Sequence, residues 1–241
     1  MLRGTKVFLM GCIITDTPED LLREISLLKT SILNSGYLNR FRKEFLKTGF
    51  HACSNHLDIY GRFVALLPRL NFRYFALILN KQSEYYSTLV KTKSKEDIYD
   101  GLLKSLLKDR LLKRIDDTNT ISVEQNLSNP SESRVNTRKK QLVSIISELN
   151  NNVIKKKTTG KSLQYEVFVQ DKNNQPLFSI VDYMNHIVMK IYEGKHGKVE
   201  NYMKENFRLI EPKIGCIHDV ANNTFHKPRK KGIDIDSSFV E

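Results

Sequence analysis

The chain has 241 residues, enough for one large domain or one domain with appendages, and 39 Lys and Arg against 27 Asp and Glu leave a formal charge of +12. That excess favours a polyanionic partner, nucleic acid foremost. Three cysteines, Cys12, Cys53 and Cys216, stand far apart without a CxxC pair, which argues against a disulfide scaffold or a cysteine zinc site. The N-terminal run VFLMGCII is too short to span a membrane and has no small-residue cleavage motif after it, so a cytoplasmic protein with reduced thiols is expected.

Val7 to Thr15 is rich in β-branched and large apolar residues without a helical period, and reads as a central strand buried on both faces. Asp16-Thr17-Pro18-Glu19-Asp20 has the form of a cap, a proline and a first acidic turn, and Leu21, Ile25, Leu28 and Ile32 mark the helix face that follows. Phe50-His51-Ala52-Cys53 reads as a short strand feeding a helix through Leu57, Phe63 or Val64, Leu67 and Leu70. Asn71 to Lys81, with seven aromatic, aliphatic or Ala residues, is the clearest strand. Ser94 to Ile115 is an amphipathic helix through Ile98, Leu102, Leu106 and Leu107.

Thr120 to Glu124 alternates toward another strand, with Glu124 at its C-terminal end. Asn136 to Asn152 returns to helix, opening on Arg138-Lys139-Lys140, and Lys155-Lys156-Lys157 lies in the loop beyond it. Between Arg134 and Lys161 there are eight Lys and Arg against one Glu, which makes this segment a candidate phosphate-binding surface, or else an ordinary solvated one. Leu163 to Val169 is a strand and Asp171 to Gln175 a turn; a short helix, one or two strands and a basic tail at Lys227-Pro228-Arg229-Lys230-Lys231 close the sequence.

The stretch around which the chain is organised is Gln175 to Gly194, a helix with Pro176 near its start, Ile180, Met184, Ile187 and Ile191 on one face, and Gly194 as its stop. At about 100° per residue, Asp182, Asn185, His186 and Glu193 gather away from that stripe. An acid two turns inside such a helix either reaches solvent or is held by a cation or by donors. His51 is a candidate for acid-base chemistry or phosphate contact, or is structural; His186 either donates a proton or orients the carboxylate. Lys81 either meets a phosphate or simply ends its strand. Cys53 beside His51 lacks an evident third residue to complete a nucleophile triad, and no Gly-rich phosphate loop occurs.

Strands alternate with helices from Val7 to Glu193, the order of an α/β sheet covered by helices, with residues 1–194 as one domain and residues 195–241 as a C-terminal extension. The blocks FHACS at Phe50 to Ser54, FALILNK at Phe75 to Lys81, SVEQN at Ser122 to Asn126 and PLFSIVDYMNHIVMKIYEG at Pro176 to Gly194, with the apolar strand before Thr15, resemble the domain of unknown function family numbered 3800, of the ribonuclease-H-like superfamily. Val181 replaces the family's usual small residue, and the first strand with its Asp-Glu-Ser-Gly signature has no counterpart here. The resemblance implies a ribonuclease-H-like mixed sheet and a nuclease or phosphodiesterase whose Mg²⁺ or Mn²⁺ is held by Asp182 and Glu124, the first acid being absent. Nucleic acid is then the expected partner, through Lys81, Arg138, Lys139, Lys140, Lys155, Lys156 and Lys157. A noncatalytic nucleic-acid-binding or protein-interaction module of the same fold is the alternative.

Overall fold

A computed structural model describes residues 5–114, 118–124, 132–154, 163–170, 172, 174–194 and 199–228. In chain order the elements are β1 (Val7–Ile14), α1 (Pro18–Leu33), α2 (Arg42–Thr48), α3 (Leu57–Leu66), β2 (Arg73–Asn80), α4 (Glu84–Thr92), α5 (Lys95–Leu111), β3 (Thr118–Glu124) and α6 (Glu132–Leu149). There follow β4 (Gln164–Gln170), α7 (Phe178–Glu193), α8 (Asn201–Ile210), β5 (Ile214–Asp219) and β6 (Thr224–His226). The protein is α/β. Contacts divide it into a first unit, residues 1–91 with 176–241, and a second, residues 92–175.

The first unit holds a mixed four-stranded sheet in the order β1-β2-β5-β6. β1 runs antiparallel to β2, with Val7 opposite Asn80 and Ile14 opposite Arg73; β2 and β5 are parallel, and β5 turns back into β6. The core centres on α7, where Ile180, Tyr183, Met184, Ile187 and Val188 are fully buried and Ile191 and Tyr192 nearly so. Each such apolar side chain removed from water contributes about 1.5–3 kcal/mol, so the stripe read from the sequence is what seats the helix. α7 lies against β1, β2 and α8. It comes close to the sheet at Gly11, where a Cβ would stand 2.1 Å from Asn185 Oδ1 and 2.8 Å from the Tyr74 ring.

Three expectations are corrected here. β1 is a strand, but it forms one edge of the sheet rather than its centre, and only Val7 and Met10 are buried in it. Its unbroken apolar run reflects α7 packed on it rather than strands on both sides. Phe50 to Cys53 is a turn, because side chains claim the N–H groups of His51 and Ala52 that a ladder would need. In α3 the buried face is Ile59, Tyr60, Phe63, Val64 and Leu66, while Leu57 at its start is exposed.

In the second unit α5 starts with a capping box: the Ser94 hydroxyl accepts from Asp97 N–H at 3.1 Å and the Asp97 carboxylate accepts from Ser94 N–H at 3.3 Å. Its buried face keeps Leu102 and Leu106 of the expected stripe and adds Leu103 and Leu111, while Ile98 and Leu107 are half-buried. α6 buries Leu142, Ile145, Ile146 and Leu149 and packs on α5 and β4. β3 and β4 pair in parallel from Thr118 opposite Gln164 to Glu124 opposite Gln170.

Candidate functional site

The candidate site forms where the segment after α2 meets α7. α2 stops at Gly49, whose φ of 63° is a left-handed conformation that a side chain would strain. Asn55 closes the turn that follows: its Oδ1 accepts from His51 N–H at 2.7 Å and its Nδ2 donates to Gly49 O at 3.0 Å. One side of α7 then grips this turn. The Ser179 hydroxyl donates to Phe50 O at 3.1 Å, Asp182 Oδ2 accepts from Ala52 N–H at 2.9 Å, and the Tyr183 hydroxyl donates to Asn55 Oδ1 at 2.7 Å.

This docking brings His51 to Asp182. Its Nδ1 stands 3.5 Å from Asp182 Oδ2 and 3.3 Å from the backbone nitrogen of Cys53. Nδ1 accepts from Cys53 N–H when it carries no proton and donates to the carboxylate when it does, so one nitrogen serves two partners according to its proton. The His51 side chain is 42% exposed and that of Asp182 23%, which leaves the pair open to solvent.

His186, one turn along α7, has Nδ1 3.3 Å from the Tyr60 hydroxyl. Its pKa is lowered from the ordinary imidazole value, first by burial and then by the charge of Lys190, while Asp182 acts in the opposite sense. His186 is therefore neutral at pH 7. Burial raises the pKa of both the Tyr183 and Tyr60 phenols; the charge of Asp182 adds to the rise at Tyr183, and that of Tyr202 to the rise at Tyr60. The two rings stack on each other, centroids 5.2 Å apart, and Phe63 packs on Tyr183 at 4.2 Å. The polar cluster thus sits on an aromatic floor that cannot yield without opening the core.

No family model, no curated protein and no solved structure matches the chain.

Of the residues selected from the sequence, Asp182, His51 and His186 come together. Asn185 does not join them: its Oδ1 accepts from the Tyr74 hydroxyl at 2.7 Å, on the sheet side. Glu193 keeps a buried Oε1 with no hydrogen-bond partner among the described residues. Glu124 ends β3 in the second unit, where Lys172 Nζ stands 3.9 Å from its carboxylate, while Asp182 belongs to the first unit. Among the described residues no group of three or more His, Cys, Asp and Glu side chains is placed to hold a metal ion.

The basic candidates separate too. Lys81 donates to the Thr5 hydroxyl at 3.1 Å. Arg138 meets Asp100 at 3.2 Å and lies over the Tyr99 ring at 4.4 Å, so it is a packing residue between α6 and α5. Lys139 and Lys140 face solvent beside Val143 and Ser144. Lys155, Lys156, Lys157 and Asp171 lie outside the described residues, as do Arg229, Lys230 and Lys231. No helix among the described residues is long and apolar enough to cross a membrane.

Asn55, Tyr60 and Tyr183 belong to the site and were not foreseen. Tyr60 and Tyr183 carry the apolar faces of their helices, which hides their hydroxyls from a reading by periodicity. Asn55, four residues past His51 in a segment opened by Gly49, had a local signal in its capacity to close a turn.

Proposed function

We propose that the chain acts on the phosphodiester backbone of nucleic acid through an acid-base centre at Asp182, His51 and His186. The observation that carries this reading is the meeting of those three side chains, from segments about 130 positions apart, at a solvent-open edge of the first unit. Displacement at phosphorus needs one group to take a proton from the attacking oxygen and another to return one to the leaving oxygen. Neutral His186 is suited to the first task. His51, whose protonated Nδ1 is oriented by Asp182, is suited to the second. The charge of +12 favours a polyanionic substrate, and the resemblance to a ribonuclease-H-like family points to the same class.

A hard divalent ion prefers several oxygen ligands. Besides Asp182 the cluster holds two imidazoles, two phenols and an amide, and one oxygen of the Asp182 carboxylate is engaged by Ala52 N–H. This set suits proton transfer better than Mg²⁺, so the Mg²⁺ or Mn²⁺ expectation rests on the resemblance. A second reading, a noncatalytic nucleic-acid-binding module, draws on the same Ala52–Asp182 bond, which gives the acid a purely positional role.

The test is a cleavage assay with end-labelled single-stranded RNA and DNA, run with chelator, Mg²⁺ or Mn²⁺. Cleavage that persists in chelator and falls by roughly 10²-fold or more in both His51→Asn and His186→Asn is the expected result. Cleavage strictly requiring metal and abolished in Asp182→Asn moves the mechanism to the metal-dependent class. Binding without any cleavage leaves the noncatalytic module.

A further inference from the structure

The hairpin of β5 and β6 carries an aromatic pair that the Asp182 centre does not use. His218 and Phe225 stand directly opposite each other across the two strands, with ring centroids 4.1 Å apart and planes within 10°. Phe225 is 53% exposed. A single exposed aromatic ring is ordinary on a protein surface; what sets Phe225 apart is that its ring is held flat against a second ring.

The hairpin presents this pair rigidly. The Asp219 carboxylate accepts from Ala221 N–H at 3.1 Å, Asn222 N–H at 3.2 Å and Asn222 Nδ2 at 2.8 Å, which fixes the turn. Asn223 adopts the left-handed conformation, φ 51°, which Asn tolerates better than most residues, and its Oδ1 lies 3.3 Å from His218 Nε2, holding the imidazole in the plane of the stack. Lys227 Nζ is 5.8 Å from the Phe225 ring centroid, and the sequence runs on through Pro228-Arg229-Lys230-Lys231.

What surrounds the ring selects the partner. A docking site for an apolar protein segment is bordered by aliphatic side chains, whereas Phe225 is flanked along the hairpin by exposed Asn222, Asn223, Thr224 and Lys227. A flat ring pair with a cation beside it matches a flat base with a phosphate beside it. We propose that His218 and Phe225 form a stacking platform for a base of single-stranded nucleic acid, with Lys227 meeting an adjacent phosphate. Bases inside a duplex have both faces covered, so the platform prefers single strands. The proposal rests on nucleic acid being the partner, and is independent of whether the Asp182 centre cleaves it.

The chain contains no tryptophan, so Phe225→Trp introduces a single indole that keeps the stacking surface and reports on it. Binding of the full chain to fluorescein-labelled oligothymidine and oligouridine of about 16 nucleotides is followed by anisotropy, beside a duplex of equal length. With Phe225→Trp the expected result is retained affinity and indole quenching that saturates with binding. Phe225→Leu, which keeps the bulk but not the π-face, and Phe225→Ala are expected to lose roughly five-fold or more in single-strand affinity, with duplex affinity unchanged. Lys227→Gln is expected to lower the log-log salt slope on single strands by about 0.7. Saturated binding without quenching, or Phe225→Leu with parental single-strand affinity, overturns the platform while leaving the nucleic-acid reading in place. No binding of either form by the parent chain overturns both.

Discussion

In the first unit the acid at position 182 meets a backbone N–H and an imidazole at the margin of an aromatic core. In the second, Asp100, Glu124 and Glu148 each meet a Lys or Arg: Arg138 at 3.2 Å, Lys172 at 3.9 Å and Lys104 at 2.5 Å. The difference lies in how each charge is compensated. Asp182 joins two segments far apart in sequence and its loss removes one of the three bonds by which α7 grips a turn, whereas the pairs of the second unit join partly exposed side chains that water can serve almost as well. A carboxylate inside an apolar-looking helix is therefore not by itself a sign of a bound cation, since backbone donors brought by the fold can hold it.

The largest test of this contrast lies beneath the cluster. Ile187 is fully buried on α7, and Ile187→Ala is expected to cost about 2–5 kcal/mol in denaturant unfolding, with loss of whatever the Asp182 centre does, because the helix that carries it is no longer seated. A cost below about 1 kcal/mol would show that α7 is not the core of its unit.

Next comes the clamp itself. Asp182→Ala leaves the Ala52 N–H without its partner and is expected to cost about 1–3 kcal/mol, while Asp182→Asn keeps an oxygen able to accept that bond and should cost less. Amide hydrogen exchange at Ala52 gives the local readout: fast in Asp182→Ala, protected in the parent. Equal stability of the parent and Asp182→Ala would place Asp182 with the surface acids of the second unit and remove the contrast.

The titration behaviour follows from burial. The folded pKa of His186 lies below its unfolded value of 6.5, as does that of His226, burial being the first cause in each. Below pH 6.5 the unfolded chain binds more protons than the folded one, so stability is full above that pH and is lost as pH falls toward the folded pKa values. A urea series from pH 7.5 down to 5 should show this loss, and His186→Gln should make it shallower. An unchanged slope would mean that His186 is hydrated in the native state.

What the sequence disclosed depended on how locally each feature is written. α7 and β2 were legible because a stripe at helical spacing and a run of strand formers carry their own evidence. The edge position of β1 was not, since the same apolar run serves a strand with neighbours on both sides or a strand covered by one helix. Nor was the turn at His51, whose Ala52 N–H bonds a carboxylate 130 positions away. Asp182, His51 and His186 could be chosen by residue type, but their meeting is a tertiary fact.

The smallest expected effects separate three adjacent basic residues of α6 that look alike in sequence. Successive positions on a helix point about 100° apart, so Arg138 reaches Asp100 and Tyr99 on α5 while Lys139 and Lys140 face water. Arg138→Gln is therefore expected to cost stability, by up to about 1 kcal/mol given the partial exposure of the pair. It should leave the salt dependence of nucleic-acid binding unchanged. The double change Lys139→Gln with Lys140→Gln is expected to do the reverse: stability within about 0.5 kcal/mol of the parent, and a log-log salt slope on duplex lower by up to about 0.9 per lysine. Measuring both variants by thermal melt and by binding at several salt concentrations decides the matter. If Arg138→Gln reduces the slope while the lysine pair does not, the guanidinium leaves Asp100 for a phosphate, and the pairing that sets the second unit apart is a resting arrangement that binding rearranges.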